Sequence, residues 1–270
     1  MAIGRARAAA CAIGVLVAWC VAAAAQQAPS SGFGGRMPTI LGITPDSTGE
    51  RVFRLLTAHG DLWGARSKTL REETGYVGAS RDKASSYIQR LTLQLSPQSV
   101  EERTRFGGSD TIRVDFTAPS AGNTAVWMSR ELTFTGLATP PTMAQYVGRI
   151  LADHGPPTII ADGRIYYLYR KGGQLASVGR SYTPETAVSA LKSPRLPIDP
   201  PLIDAALSVD VGKCTRAVEG PPVSRDLGRL LEDATCDAAF VVWLSGVEDR
   251  LRSATFVVND LARRAAAAAR

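Results

Sequence analysis

The chain has few of the side chains on which catalytic and metal-binding sites usually depend. Its 270 residues include two histidines and four cysteines. The histidines, His59 and His154, have no other ligand residues at zinc-site spacing around them. Neither a Gly-x-Ser-x-Gly nucleophile elbow nor a phosphate-binding glycine loop ahead of a helix occurs. We therefore expect no bound metal and no cofactor, and we favour a non-enzymatic function over catalysis.

Clustered positive charge is also missing. The formal net charge is +6, but the lysines and arginines are scattered along the chain and do not form a basic stretch. Proteins that bind nucleic acid usually concentrate their basic residues on one face or segment. The sequence therefore predicts no nucleic-acid partner.

Long apolar runs are absent after residue 25, so no membrane span is predicted beyond that point. The first 25 residues combine a basic start at Arg5 and Arg7, an uncharged apolar stretch from Ala8 to Val21, and small residues at positions 23–25. This order is typical of a cleaved secretory signal. It predicts a periplasmic or extracellular protein of about 245 residues, and a retained N-terminal anchor is the alternative.

Cysteine usage agrees with export. Cys11 and Cys20 lie in the predicted signal, which leaves Cys214 and Cys236 in the mature chain. Two cysteines in an oxidising compartment most often form a disulfide bond. This bond would close a loop of about 23 residues and stabilise the fold by about 3 kcal/mol. The alternative, a reactive thiol, would need a neighbouring histidine, and neither histidine is close in sequence.

A short amphipathic pattern occurs twice, at residues 52–60 and 147–155. Each copy has apolar residues at i, i+3 and i+4, which places them on one face of a helix. Each copy ends in His-Gly, where the glycine can adopt the left-handed conformation that ends a helix. If the two helix ends met, the histidines could form a paired metal or pH-sensing site. Otherwise each histidine stabilises the end of its own helix. The apolar residues are Val52, Leu55 and Leu56 in the first copy and Val147, Ile150 and Leu151 in the second.

Segments with the two-residue period of a β-strand follow each predicted helix. We therefore predict the α+β class, with two related units that each pack a helix on an antiparallel sheet. The units span residues 38–136 and 137–260, and the second carries an insertion between Lys171 and Cys236. Residues 26–37 are predicted to be a flexible lead. Residues 261–270 are predicted to be an alanine-rich helical tail, loosely held.

Several short motifs occur in the two predicted units. They are Gly42-Ile43-Thr44, Val52, Gly60, Val147, Leu151, Gly155, Pro157 and the aromatic strand Tyr166–Tyr169. With these motifs the chain resembles the SmpA/OmlA type of envelope module, which has a helix that ends in Gly-x-Pro and is followed by an antiparallel sheet with aromatic residues. Tandem copies also resemble the secreted β-lactamase-inhibitor fold, in which a concave sheet grips an enzyme. The resemblance covers about a third of the mature chain and implies a non-catalytic, protein-binding role.

The chain departs from that family pattern in two places. Asp61 and Leu62 stand where the Gly-x-Pro pattern would continue in the first copy. Trp19 precedes Cys20, whereas a lipidation site would have a small residue there. The resemblance therefore implies the fold and a binding role but no lipid anchor.

Four aromatic and basic residues are the candidates for a binding surface. Tyr166 and Tyr169 lie on one predicted strand, and Trp127 is on the polar side of another strand, next to Arg130. Tyrosine, tryptophan and arginine are the types that most often anchor protein interfaces. Core packing is the alternative for each of them. We expect an exported non-catalytic binding protein whose partner is another envelope or secreted protein.

The alternative to a binding protein is an enzyme. Ser80-Arg81-Asp82-Lys83 fits the Ser-x-x-Lys pattern of acyl-enzymes that act on cell-wall or β-lactam-like substrates. The companion motifs are missing, and the nearest approach to Lys-Thr-Gly is Lys171-Gly172-Gly173. A purely structural envelope component is the third possibility.

Overall fold

The computed structural model describes residues 32–33, 37–64, 67–77, 85–176, 181–193, 211–219 and 235–268. The predicted signal peptide and the Ser80 and Lys83 motif lie outside these ranges. The described residues form six α-helices and one antiparallel sheet of eight strands. The α+β class is therefore confirmed, and both predicted halves contribute to a single sheet.

The strands of each half are contiguous in the sheet. The order is β1-β2-β3-β4-β8-β7-β6-β5, so β4 and β8 are the neighbours that join the halves. The strands are β1 Lys68–Val77, β2 Ser85–Leu95, β3 Asp110–Phe116, β4 Ala125–Thr133, β5 Ile159–Ala161, β6 Arg164–Arg170, β7 Cys236–Val247 and β8 Arg250–Asp260. The helices are α1 Gly49–Asp61, α2 Val100–Phe106, α3 Met143–His154, α4 Pro184–Leu191, α5 Val211–Glu219 and α6 Leu261–Ala268.

The two amphipathic patterns form α1 and α3. Thr48 caps α1, and Thr142 and Gln145 form a reciprocal capping box at the start of α3. Val52 and Val147 are both fully buried in one apolar cluster on the same face of the sheet. Both helices therefore pack on the single antiparallel sheet.

The two helix ends differ, although both carry His-Gly. Gly155 has a φ of 77° and caps α3 in a conformation that favours glycine. Gly60 lies inside α1, which continues to Asp61, so the prediction of a left-handed glycine is wrong there. A Cβ on Gly60 would lie 2.9 Å from the side chain of Lys68 and 3.5 Å from that of Leu93. A larger residue at this position would therefore have to displace the flexible side chain of Lys68.

The first face of the sheet is covered by α1, α3 and α4. The apolar stripes of these helices and the inward residues of β2, β3, β4, β7 and β8 form one continuous core. Burial of this area is the main source of stability for such a fold. Its fully or nearly fully buried members include Leu56, Leu93, Ile112, Met128, Ile150, Phe240 and Val258.

The second face of the sheet is covered in its second half by α5 and α6. Leu261 of α6 and Ala217 of α5 pack with Val241 and Val257 of the sheet. The prediction of a loosely held tail is wrong for residues 261–268, because the Arg263 guanidinium donates to the Pro45 carbonyl oxygen at 2.7 Å. No helix among the described residues is long and apolar enough to cross a membrane.

Part of the segment that was expected to be a flexible lead is packed into the fold. Phe33 is fully buried and makes an edge-to-face contact with Tyr169, with ring centroids 4.7 Å apart. The backbone N–H of Gly32 donates to Asp260. The Phe33 ring and the Gly32 hydrogen bond together attach residues 32 and 33 to the sheet.

The predicted disulfide bond is present between Cys214 of α5 and Cys236 at the start of β7. Both cysteines are buried in the cluster beneath α5 and α6. The bond therefore ties the cover of the second face to the sheet.

Removal of the Cys214–Cys236 bond tests how much it stabilises the packing of α5 on the sheet. We expect the Cys214→Ala/Cys236→Ala variant to lose about 2–4 kcal/mol of unfolding free energy. The reason is that the unfolded chain gains conformational entropy when no covalent bond joins these residues, which are 22 positions apart. Urea denaturation with and without reductant measures this. Reductant should destabilise the wild type and leave the variant unchanged, and equal stabilities under oxidising conditions would contradict the expectation.

Candidate functional site

Most of the second face over β1 to β4 is not covered by any described helix, and α6 reaches only the Trp127 end of β4. Side chains in β2 and β3 alternate between the apolar core and this surface. We call the surface the open face. Its residues are Thr69, Arg71 and Glu73 of β1, Arg90, Thr92 and Gln94 of β2, Thr111, Arg113 and Asp115 of β3, and Trp127, Ser129 and Glu131 of β4.

Charges of alternating sign cross the open face in one row. The strand register places Glu73 beside Arg90 and Arg90 beside Asp115. Arg90 contacts Glu73 at 2.8 Å and holds Asp115 with two hydrogen bonds of 2.5 and 3.1 Å. The hydrogen bond to Asp115 raises the pKa of Arg90 despite its partial burial. These side chains are fixed before any partner arrives, which reduces the entropy lost on binding.

Trp127 lies where the open face meets the covered half of the sheet. The Arg113 guanidinium carbon is 5.2 Å from the centroid of the Trp127 ring, within cation–π distance. Trp127 is paired with Asn259 of β8, and Asn259 accepts a hydrogen bond from Arg264 of α6 at 2.8 Å. Trp127 also packs against the cluster beneath α5 and α6. The ring is therefore held rigidly at the boundary.

A second pair of the same kind lies along the same boundary. The Arg164 guanidinium carbon is 5.2 Å from the centroid of the Trp243 ring. Trp243 is paired with Thr255 of β8, which is in turn beside Glu131 of the open face. The indole Nε1 of Trp243 is buried and has no hydrogen-bond partner. Two Trp–Arg pairs therefore border the open face.

The surface between these features is a shallow polar depression. It has a volume of about 340 Å³, and every lining residue is polar. Small-molecule sites of similar volume are mostly apolar and enclose their ligand. The polar lining instead suits the protruding side chains of a large partner. The lining residues are Glu73, Arg90, Thr92, Thr111, Arg113, Ser129, Glu131 and Thr255.

The tyrosines that the sequence analysis selected are buried. Tyr166 is 2% exposed and packs in the cluster beneath α5 and α6, whereas Tyr169 is 9% exposed and packs in the core of the first face. Tyr167 and Tyr169 share a face and Tyr166 points away from it, in keeping with the two-residue period of a strand. Both tyrosines therefore pack in the core, which was the alternative to a binding surface. Neither tyrosine presents a ring to the open face.

Trp127 and Arg130 are on opposite faces of β4, because they are an odd number of positions, three, apart along the strand. Arg130 is on the helix-covered face, where its guanidinium holds the fully buried Asp110 with hydrogen bonds of 2.7 and 3.0 Å. The Nε2 atom of His59 contacts the same carboxylate at 2.8 Å. Arg130 is therefore part of a buried polar cluster that ties the end of α1 to β3 and β4.

The electrostatics of this cluster favour an ionised carboxylate. Burial alone would raise the pKa of Asp110, but the hydrogen bonds and charges of His59 and Arg130 outweigh it and lower that pKa below its usual value. Tyr146 of α3 lies close by, and burial raises its pKa to about 12. The phenol therefore stays neutral.

The two histidines contact different groups. His59 is paired with Asp110, whereas the ring of His154 packs against Tyr167 and Phe240. Among the described residues, no group of three or more histidine, cysteine, aspartate or glutamate side chains could hold a metal ion. Ser80 and Lys83 are outside the described residues, so the hydrolase alternative stays a prediction.

The residues that the sequence analysis missed are of two kinds. Arg113 and Asp115 alternate with the apolar residues of β3, so their place on the open face could have been read from the two-residue period. Trp243 is in a continuous apolar run, Phe240 to Leu244, and gives no such signal. The partnership of Asp110 with Arg130 depends on the pairing of two strands.

Comparisons of the chain with protein-family models, curated proteins and solved structures found no match.

Removal of the Asp110 carboxylate tests the buried cluster. We expect Asp110→Asn to lose about 3–5 kcal/mol of unfolding free energy at pH 7, because Arg130 and His59 are left without an anion. The pKa of Asp110 is lowered in the fold, so its contribution is present above the unfolded value of about 3.9 and is lost as the pH falls through the folded value. The difference between wild type and variant should therefore shrink below about pH 4.

Denaturant unfolding over a pH series measures both effects. Asp115→Asn is the matched control, since its carboxylate also binds an arginine but is partly exposed; we expect a loss of about 1 kcal/mol or less. Equal losses in the two variants would show that the Asp110 cluster has no special role.

Proposed function

We propose that the protein is an exported, non-catalytic binding protein that holds another folded protein against the open face. The observation that carries this proposal is the half-covered second face. Among the described residues, the cover formed by α5 and α6 extends as far as Trp127 and Trp243, and most of the surface over β1 to β4 has no helix on it. A rigid sheet surface with arginine and tryptophan at its border has the residue types that dominate interface energetics.

The area of the open face limits how much of a partner's surface it can contact. Four strands and six residues along each strand cover roughly 15 by 20 Å. A standard interface buries about 800 Å² on each side, which is more than twice that area. The partner must therefore also reach the border, where Trp243 and Arg164 extend the surface beyond β4.

We also propose that the two halves of the chain are tandem copies of one structural unit. In each half a capped amphipathic helix is followed by two pairs of strands, and the strand order is mirrored about the β4·β8 contact. Val52 and Val147, at matching places in the two patterns, pack in one core. In the β-lactamase-inhibitor fold that tandem units resemble, the sheet grips an enzyme, and this supports a folded protein as the partner here.

The proposed compartment is the periplasm or the extracellular space. The signal-like first 25 residues predict it, and the Cys214–Cys236 bond supports it, because structural disulfides persist in oxidising compartments. The partner would then be another envelope or secreted protein.

A photo-crosslinking amino acid at Ser129 tests the open face. We expect adducts with a discrete protein of the same compartment, and the same probe at the exposed Ala58 of α1 should not form them. Adducts identical in pattern at both positions would contradict the proposal.

A charge reversal then tests the border once the partner has been identified. Arg113→Glu removes a border arginine and should weaken binding at least about tenfold, a loss of about 1.4 kcal/mol. Arg51→Glu, on the exposed side of α1, is the matched control and should leave affinity unchanged. Unfolding curves establish that both variants are folded, and unchanged affinity in Arg113→Glu would exclude this border from the interface.

A further inference from the structure

The two edges of the sheet differ in length and protection. The strand β5 has three residues and is adjacent to α4, whose Leu191 carbonyl accepts a hydrogen bond from Gly163. The strand β1 has ten residues, and no other described strand or helix pairs with its outer edge. An edge of this kind presents unpaired N–H and C=O groups that can accept another strand.

The regular part of that edge is short and strongly patterned. The register of β1 shifts between Glu73 and Thr74, so an added strand would pair with residues 68–73. Within them, Lys68, Leu70 and Glu72 are on the helix-covered face. The charges are therefore placed symmetrically about Leu70, with a base two residues before it and an acid two residues after it.

This symmetry suits a second copy of the same strand. An antiparallel pair with its twofold axis at Leu70 places Lys68 of each copy opposite Glu72 of the other and sets the two Leu70 side chains together. Opposite charges at directly facing positions stabilise a strand pair, and like charges destabilise it. Moving the axis to Arg71 would place two arginines opposite each other. The charge pattern therefore favours the register centred on Leu70 over the one centred on Arg71.

Both charged residues are available for this pairing. Glu72 is exposed and has no ion-pair partner among the described residues. Lys68 is bonded to Asp61, but an ammonium group has three donors and can also reach a second carboxylate. A new contact therefore does not require the existing one to break.

Exposed apolar side chains near β1 support association at this edge of the sheet. Tyr76 and Val77 are 66% and 44% exposed, and Leu62, shortly before β1, is 68% exposed. Large apolar side chains grouped on a surface favour contact with another protein surface.

We propose that two copies of the chain associate through their β1 strands, centred on Leu70, to form a continuous sheet of sixteen strands. A twofold axis perpendicular to the sheet leaves both open faces on the same side. The contact is five residues long and therefore at the small end of interface sizes, so the association depends on protein concentration.

Sedimentation velocity over a concentration series tests the association. The wild type should shift from monomer to dimer, and Glu72→Lys should raise the dissociation constant about tenfold or more, since two facing pairs become repulsive. Lys68→Glu should do the same. Mixing the two variants should restore the dimer, because each facing pair is again of opposite charge. A wild type that stays monomeric, or a Glu72→Lys variant that associates as well as wild type, would overturn the proposal.

An engineered cysteine tests the register independently of charge. Leu70→Cys places the new thiol on the twofold axis and should give a disulfide-linked dimer under mild oxidation. Thr74→Cys, on the same strand but away from the axis, is the control. Efficient crosslinking at Thr74 and none at Leu70 would overturn the register, and circular dichroism establishes that each variant is folded.

Discussion

The antiparallel pairing of β4 with β8 is the contact on which the rest of the structure depends. Seven residue pairs, from Trp127 with Asn259 to Thr133 with Ser253, join the two halves of the chain into one sheet. Because the sheet is continuous, α1 and α3 share one core on the first face. The same pairing brings Glu131 of the first half beside Thr255 of the second and extends the polar surface across the junction.

The two faces of the sheet differ because their covers differ. In β2 and β3, apolar and polar residues alternate, since one side packs under helices and the other meets solvent. In β6 and β7 the central residues are buried on both sides, because α3 and α4 lie over one face and α5 and α6 over the other. The helices α5 and α6 cover the second face only as far as Trp127 and Trp243. The proposed partner would bind at this boundary.

Buried charges fix the ends of helices to this sheet. Asp110 receives hydrogen bonds from Arg130 and contacts His59, the residue near the end of α1. Asp260 caps α6 by accepting from the backbone N–H of Arg263, and Arg263 reaches the Pro45 carbonyl ahead of α1. Paired and hydrogen-bonded charges of this kind are strongly destabilising to break, and they specify one arrangement of the helices. A rigid scaffold is what a preformed binding surface needs.

The sequence by itself determined the features that depend on local order. The spacing of Val52 and Val147 predicted the faces of α1 and α3, the two remaining cysteines predicted the disulfide bond, and the period of β2 and β3 separated core from surface. The tertiary structure decided everything that depends on which elements become neighbours. Tyr166 and Tyr169 are buried because β6 lies between two strands and under helices on both sides. Arg130 is half-buried on the helix-covered face, where strand pairing brings it to the buried Asp110. Periodicity assigns a side chain to a face, but only the packing of distant segments determines whether that face is covered.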